Sequence, residues 1–407
     1  VIQITEKLLG IWRIRMKKNL FNIKLVCLMV SFFSMLINPQ FLYAATNSTA
    51  VECNFTKHSI LLDGDVNTQF QAARRTYTAQ TPVLSAFWDS NNKYHVVYAC
   101  ADNNSKKKVI IQRYNSELKL EKTITLEQEL PLYGNAVCDG NYYYILWGQN
   151  DANKENCVVT CVAKYTLEGE KVACCELKGY ESNPYVWASG ETWGTRYPFD
   201  AGSAKMDIQS GILACSYARE MYSGHQSNFV FYINTNTMER VQYSAIPYCS
   251  HSFDQAVIAT SDGGYLFANH GDAYSRGFQI DKVNYAGKMQ GEKVTFHFRE
   301  GSVRGSGYNE TYAQLGGLAE TSIGYVLCGS SEKTLSYDVA PTNGSYCGHG
   351  ESRNLFVQVL KKDFYNYSNE SMYAISGEKR IGTGKKPSSA QTQLFLEAGT
   401  EDNGVIW

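Results

Sequence analysis

The sequence predicts an all-β protein, specifically a β-propeller built from four-stranded blades. Three observations support this fold class. The composition is rich in aromatic residues (13%, with 29 Tyr) and Gly (33), with 8 Pro in 407 residues, which suits short strands and tight turns. Apolar, strand-like runs alternate with short polar turns. A pattern of four such runs recurs about every fifty residues, which is typical of propeller blades.

Each repeat opens with a strand that carries a small residue, passes a polar turn, and continues through three more strands. The first repeat has predicted strands at 84–89, 94–99, 109–114 and 120–126. The second has strands at 135–138, 142–148, 157–165 and 170–177. The third has strands at 204–208, 212–218, 228–233 and 239–244. The fourth has strands at 255–260, 265–269, 277–283 and 292–298. The fifth has strands at 314–320, 325–329 and 354–360, followed by a divergent last strand.

A sixth repeat begins at 393–398 and stops at Trp407, inside its second strand. We therefore expect five full blades and a partial sixth, in a chain that is truncated at its C-terminus. A β-sandwich would not repeat a four-strand meander five times, and a β-helix would have a shorter period. The propeller is expected to span residues 81–407. Residues 46–80 form an N-terminal extension that could donate a strand to close the ring.

The N-terminal 45 residues resemble an export signal. Lys17, Lys18 and Lys24 precede an apolar run from 25 to 37, and small residues follow at Ala44 and Ala45. A basic start, an apolar stretch of about 7–15 residues and a small residue at the cleavage point define a secretory signal peptide. Residues 1–15 are then upstream sequence that precedes the true start. The prediction is a secreted or cell-surface protein with no membrane segment after cleavage.

The cysteines do not form an obvious disulfide framework. Of the 12 Cys, one lies in the signal region, and most of the others lie inside apolar strands, where Cys behaves as a small hydrophobic residue. Cys157 and Cys161 are four residues apart, but they lack the turns and the second downstream pair of a zinc site, so no metal is predicted. A bridge from Cys161 to Cys174 or Cys175 across the turn at residues 168–169 is an open alternative.

These repeats resemble secreted bacterial β-propeller proteins in general, over roughly residues 80–407. The resemblance implies an architecture and no activity, since one fold hosts many functions. The segment from Ser261 to Tyr265 matches only the first half of the sialidase Asp-box and lacks its Trp. The Trp-Asp ending of WD blades and the double-glycine strands of kelch blades also do not recur from repeat to repeat in this sequence.

The loops divide between two faces of the predicted propeller. In a propeller, the loop before a first strand and the loop after a second strand lie on the same face, and here those loops are long and chemically rich. Binding residues concentrate on loops carried by a rigid scaffold. The ligand is expected on this face of blades three to five. The predicted ligand-binding residues are Trp187, Trp193, Arg196, Arg219, Glu220, His225, His251, Asp254, His270, Asp272 and Arg276.

Alternative roles remain open for these residues. Asp and His at the tops of blades also pin one blade to the next, the two Arg at 219 and 276 could be buried bridges, and the Trp residues could pack under their own loop. The residues most informative for a site are His251, Asp254, His270 and Asp272, which stand at the ends of two strands of one blade. We expect His225, His251 and His270 to converge with these carboxylates on one face.

The leading functional hypothesis is a module that binds a glycan or another cell-surface ligand. Trp and Tyr offer apolar faces to sugar rings, while Asp, His and Arg offer hydrogen bonds. One alternative is a polysaccharide hydrolase or lyase that uses a pair of carboxylates on the same face. Another is a structural or adhesion scaffold. Binding ranks above catalysis because the nucleophile, phosphate and dinucleotide motifs are absent from the sequence.

The charge balance excludes some partners. With 38 Lys and Arg against 39 Asp and Glu, the chain has neither a polybasic surface for nucleic acid nor an acidic disordered tail. No nucleic-acid partner, no cofactor and a monomeric state are expected.

Overall fold

The structure is a computed structural model that describes thirteen parts of the chain. These are residues 84–101, 107–184, 188–200, 202, 204–271, 277–295, 314–322, 324–331, 354–360, 362, 371–374, 397–398 and 405–406. The predicted export signal, the extension at 46–80, Trp187, Asp272 and Arg276 lie outside the described residues.

Five consecutive four-stranded antiparallel meanders account for most of the described chain. Blade 1 consists of β1 (Leu84–Trp88), β2 (Tyr94–Ala101), β3 (Lys107–Tyr114) and β4 (Leu120–Glu127). Blade 2 consists of β5 (Leu132–Cys138), β6 (Tyr142–Gly148), β7 (Val158–Thr166) and β8 (Lys171–Lys178). Blade 3 contains β9 (Thr195–Pro198), β10 (Ala204–Gln209), β11 (Ile212–Met221), β12 (Gln226–Asn234) and β13 (Glu239–Val241).

Blade 4 consists of β14 (Ser252–Ala259), β15 (Tyr265–Gly271), β16 (Gly277–Val283) and β17 (Met289–Thr295). Blade 5 consists of β18 (Gln314–Thr321), β19 (Gly324–Ser331), β20 (Asn354–Leu360) and β21 (Ser371–Ala374). A two-stranded sheet follows, formed by β22 (Glu397–Ala398) and β23 (Val405–Ile406).

The blades are arranged as in a β-propeller. The first strands of successive blades contact one another, from β1 to β5, then to β10, β14 and β18. Four separate hydrophobic clusters fill the four interfaces between the five consecutive blades. A sheet that must cover both of its faces is stable when neighbouring sheets stack on it, and this packing satisfies that need. The predicted fold class is therefore confirmed.

Strand β6 shows how one strand serves two interfaces. Successive side chains of a strand point to opposite faces of the sheet. Tyr143, Ile145 and Trp147 accordingly pack toward blade 1, whereas Tyr144 and Leu146 pack toward blade 3. Each of these side chains is completely buried. The continuous apolar run of this strand is therefore what a two-sided core requires.

A buried polar chain joins blade 1 to blade 2. His95 on β2 lies 3.0 Å through Nε2 from Asp89 Oδ2, and its Nδ1 lies 3.1 Å from the hydroxyl of Tyr143 on β6. An ionised carboxylate can only accept, so Nε2 donates to Asp89 and Nδ1 accepts from Tyr143. Burial lowers the pKa of His95, an effect that outweighs the nearby Asp89, and the neutral ring fits this single tautomer.

Hydrogen bonds between polar groups also join the later pairs of neighbouring blades. The hydroxyl of Tyr265 in blade 4 donates to the carbonyl of Ile212 in blade 3 over 2.7 Å. Lys282 of blade 4 donates to the hydroxyl of Tyr325 in blade 5 over 2.8 Å. Between blades 2 and 3, Lys164 donates to the Thr235 carbonyl over 2.8 Å. Buried polar groups of this kind cost little once paired, and they fix how adjacent blades align.

The structure also departs from the predicted elements. No element is predicted between the strands at 170–177 and 204–208, but the structure has a 3₁₀ turn (Tyr180–Ser182), the one-turn helix α1 (Gly190–Trp193) and strand β9 there. Strand β9 pairs with the end of β11, which makes blade 3 five-stranded. The four residues of β9 include a Pro and lack the alternation of apolar and polar residues that predicts a strand. Strand β13 is shorter than predicted: it ends at Val241, whereas the predicted strand runs to residue 244.

The nine cysteines in the described part of the chain form no disulfide with one another. Neither Cys174 nor Cys175 is bonded to Cys161, so the alternative of a disulfide there is not realised in the structure. In the part of the chain that the structure describes, no helix combines the length and the apolar character needed to cross a bilayer.

Candidate functional site

A pocket opens on the predicted loop face of blade 3. Its volume is about 460 Å³, within the usual range of small-molecule sites. The described residues that line it come from α1, the hairpin between β11 and β12, and the loop that leads into blade 4. They are Thr192, Trp193, Met221, Ser223, His225 and Tyr248. Two of the predicted site residues, Trp193 and His225, are therefore in the lining.

The aromatic wall of the pocket is formed by Trp193 and Tyr248. Their ring centroids lie 6.5 Å apart with the planes inclined by 51°, and both side chains are half-buried. Trp193 closes α1, which begins after Ser189, whose Oγ accepts from the Glu191 amide over 3.2 Å. Half-buried aromatic rings present an apolar face to a ligand while their edges stay packed.

His225 supplies the polar wall of the pocket. Its Nε2 lies 3.0 Å from the hydroxyl of Ser250, and its ring lies 5.1 Å from the ring of His251. Burial lowers the pKa of His225, and the neighbouring His251 and Arg219 lower it further because each disfavours another positive charge. Near neutral pH the ring is accordingly uncharged and can exchange hydrogen bonds with a neutral ligand.

His251 has an unusual backbone. Its φ of 51° lies in the left-handed region, which few residues other than Gly adopt. The amide of His251 donates to the carbonyl of Gln226 over 2.9 Å, which holds the loop against strand β12. Strained backbone is found preferentially where the surrounding structure fixes a functional side chain. Here the strain places the imidazole of His251 beside that of His225.

Arg219 lies beneath this part of the site and is fully buried. Its Nη1 donates to the carbonyls of Ser182 and Trp193 over 2.6 and 2.8 Å, and its Nε donates to the hydroxyl of Ser227 over 3.1 Å. These bonds tie the 3₁₀ turn, α1 and β12 together. The guanidinium thus holds Trp193 in position from below and has no surface for direct contact with a ligand.

A second group of predicted residues lies in blade 4. Asp254 Oδ2 is 3.6 Å from Nδ1 of His270. The His270 ring is completely buried, with the rings of Phe253 and Phe278 at 5.8 and 5.6 Å. Asp254 is half-buried. The structure therefore brings Asp254 and His270 together as a pair, and it encloses the His270 side chain within the blade.

Two further predicted residues, Arg196 and Glu220, lie outside the pocket. Arg196 donates through Nη2 to the carbonyl of Ala152 over 2.7 Å, and its guanidinium lies 4.7 Å from the ring of Tyr197. It therefore reaches toward the loop of blade 2. Glu220 is buried on β11, opposite Tyr197 on β9. Neither Arg196 nor Glu220 is among the described residues that line the pocket.

Sequence reasoning missed several members of the site. Tyr248 and Ser250 belong to the same loop as His251, and Thr192 belongs to α1 with Trp193. Thr192 and Ser250 belong to loops that the sequence predicts on this face, whereas Tyr248 precedes the predicted loop into blade 4. The sequence signal that could have identified Tyr248 is its position as an aromatic residue three places before His251.

Comparisons with known proteins give likenesses of fold alone. No protein-family profile matches the chain, and no curated protein matches it in sequence. Among solved structures, a member of the DUF4221 family from Bacteroides vulgatus is 11% identical, with a TM-score of 0.41; the match covers 76% of this chain and 84% of that one. A sialidase from Trypanosoma rangeli is 10% identical, with a TM-score of 0.45, over 80% of this chain and 52% of that one.

An exo-β-1,3-galactanase from Clostridium thermocellum is 9% identical, with a TM-score of 0.38, over 71% of this chain and 64% of that one. The chain is thus a β-propeller with a pocket on the loop face of blade 3, as the strand pairing and the lining residues define it.

Proposed function

We propose that this β-propeller binds a glycan in the pocket between α1, the β11–β12 hairpin and the loop leading into blade 4. The observation that carries the proposal is the pairing of the half-buried rings of Trp193 and Tyr248 with the neutral imidazole of His225 in one pocket. A sugar ring offers an apolar face for stacking and hydroxyls for hydrogen bonds. Ser223 and Thr192 add exposed hydroxyls at the rim.

The chemistry of the lining favours binding over turnover. Among the described residues that line the pocket, none has a carboxylate. Glycoside hydrolysis generally needs two carboxylates about 5–10 Å apart across the scissile bond. The hydrolase or lyase hypothesis therefore has to recruit Asp254 or another group from outside this lining, and the scaffold hypothesis leaves the aromatic pair without a role.

The test is a glycan array on the full chain, followed by calorimetric titration with a glycan that binds. Replacing Trp193 with Ala should weaken binding about fivefold, since an aromatic platform of this kind contributes about 1 kcal/mol. The matched control is Tyr285→Ala, because Tyr285 is an exposed aromatic residue in the β16–β17 turn, away from the pocket. This control should bind as tightly as the wild type.

The same samples separate the alternatives. Mass spectrometry of the glycan after incubation reports any cleavage. Turnover that disappears in Asp254→Asn would replace the binding proposal with the enzyme hypothesis. Failure of every glycan to bind, or equal affinity of Trp193→Ala and wild type, would refute the proposal.

A further inference from the structure

A cluster of metal-ligating side chains lies on blade 2, apart from the pocket. Cys161 on β7 and both Cys174 and Glu176 on β8 place their two Sγ atoms and a carboxylate oxygen within 4.8 Å of one another. Cys161 is buried, Cys174 is partly exposed and Glu176 is exposed, so the cluster opens to solvent on one side.

Strand register explains why the three side chains meet. Cys161 pairs directly with Glu176, and Ala163 pairs with Cys174, so Cys174 is the diagonal neighbour of Cys161 on the same face of the sheet. Side chains two apart on β8 share a face, which leaves Cys175 on the opposite face. Cys175 accordingly packs in the interface with blade 3.

The same register disfavours a disulfide and suits a metal ion. Diagonal neighbours in an antiparallel pair have Cα atoms about 7–8 Å apart, whereas a disulfide needs about 4.4–6.8 Å. A metal ion bridges the longer gap. Tetrahedral coordination with Zn–S bonds of about 2.3 Å puts ligand atoms about 3.8 Å apart, which small rotations of Cys174 and Glu176 can reach.

The charges around the cluster also fit a bound dication. Two thiolates and a carboxylate around a divalent ion leave a net charge of −1. Lys171 interacts electrostatically with both thiols and is held by Glu129, with 2.7 Å between its Nζ and Glu129 Oε2. Glu129 neutralises Lys171, so this pair leaves the balance unchanged, and the three ligands supply the negative charge that attracts a dication. Binding converts two thiols to thiolates and releases their two protons.

A second cluster of metal-ligating residue types among the described residues is not available to bind a metal ion. Asp89, His95 and Cys138 also lie within 4.8 Å of one another. Both ring nitrogens of His95 are already engaged, by Asp89 and by Tyr143. A metal ion there would have to break the polar chain between blades 1 and 2.

We propose that Cys161, Cys174 and Glu176 form a site for a soft divalent metal ion, with zinc as the best match and water as the fourth ligand. Thiolates select zinc over hard cations such as Mg²⁺ and Ca²⁺. Bound metal joins β8, the outer strand of blade 2, to β7 by a link in addition to their backbone hydrogen bonds.

The test is a titration of the reduced full chain with Co²⁺, whose thiolate charge-transfer absorption reports Cys coordination directly. The wild type should bind one Co²⁺ at this site, and Zn²⁺ should displace it. Cys174→Ser and Glu176→Gln change residues that are not fully buried, so folding should be preserved. Cys174→Ser should weaken binding by more than about 100-fold, because even outer-shell partners contribute about 10–100-fold.

The control is Cys175→Ser, which removes the neighbouring thiol on the opposite face and should leave the titration unchanged. The proposal is overturned if the wild type shows no thiolate charge-transfer absorption or if Cys174→Ser binds like the wild type. It is also overturned if Cys175→Ser loses as much affinity as Cys174→Ser, or if mass spectrometry shows that Cys161 and Cys174 are disulfide-bonded in the purified protein.

Discussion

Replacing Tyr143 with Phe tests whether the buried polar chain between blades 1 and 2 stabilises their alignment. The change removes one oxygen atom and keeps the ring that packs in the interface. The hydroxyl lies 3.1 Å from Nδ1 of His95, and both side chains are completely buried. Without the hydroxyl, Nδ1 of His95 is a buried acceptor with no donor from Tyr143, in a site that water does not reach. Leaving such an acceptor unsatisfied lowers the free energy of unfolding by about 1–3 kcal/mol.

The measurement is urea unfolding at pH 7.5, followed by intrinsic fluorescence and analysed by linear extrapolation. We expect the free energy of unfolding of Tyr143→Phe to fall by about 1–3 kcal/mol. The control Tyr285→Phe alters a side chain that is 75% exposed and should stay within about 0.5 kcal/mol of the wild type. A loss below about 0.5 kcal/mol in Tyr143→Phe would show that the hydrogen bond does not stabilise the interface.

Three further predictions concern pH, packing and thiol chemistry. Burial lowers the pKa of His95 in the folded protein below its unfolded value near 6.5. Below about pH 6.5 the unfolded chain therefore binds more protons than the folded protein. The stability that His95 contributes is accordingly lost as the pH falls through this range. The stability difference between wild type and His95→Gln should therefore shrink from pH 7.5 to pH 5 in urea titrations, and a constant difference would contradict it. Gly194→Ala should weaken any ligand binding in the pocket and lower the melting temperature, because its Cβ would lie under 3.0 Å from the carbonyl oxygens of Gly179 and Gly190. Unchanged calorimetry would show that the loop adapts. In peptide mass spectrometry after brief alkylation of the metal-free protein, Cys157 and Cys174 should label first among the described cysteines, because the other described thiols are buried. Early labelling of Cys138, whose pKa burial raises to about 12, would contradict this.

The residues of the candidate site come from distant parts of the chain. His225 and His251 are 26 positions apart, and Ser250 reaches His225 from the loop that leads into blade 4. Sequence reasoning selected both histidines because they fell in loops on the same face. It could not show that their rings touch, since loop conformation depends on contacts such as the amide of His251 with Gln226.

The sequence alone determined the number of meanders and most of their strand positions. This was possible because each strand has two buried faces and so reads as a continuous apolar run, and because turns are marked locally by Gly, Asp and Asn. The predicted second strands at Tyr94, Tyr142, Ile212 and Tyr265 begin where β2, β6, β11 and β15 begin. These features depend on interactions between residues close in sequence.

Only the tertiary structure decided which side chains meet across strands and blades. Strand β9 forms because the end of β11 offers unpaired backbone groups, which its own sequence does not reveal. The predicted ligand-binding residues separate into those in the pocket, such as His225, and those enclosed by the fold, such as Arg219 and His270. Likewise Cys161 meets Cys174 and Glu176 through strand register. A shift of register by one residue would turn every side chain to the other face, so these groupings depend on pairing across the sheet and not on local sequence.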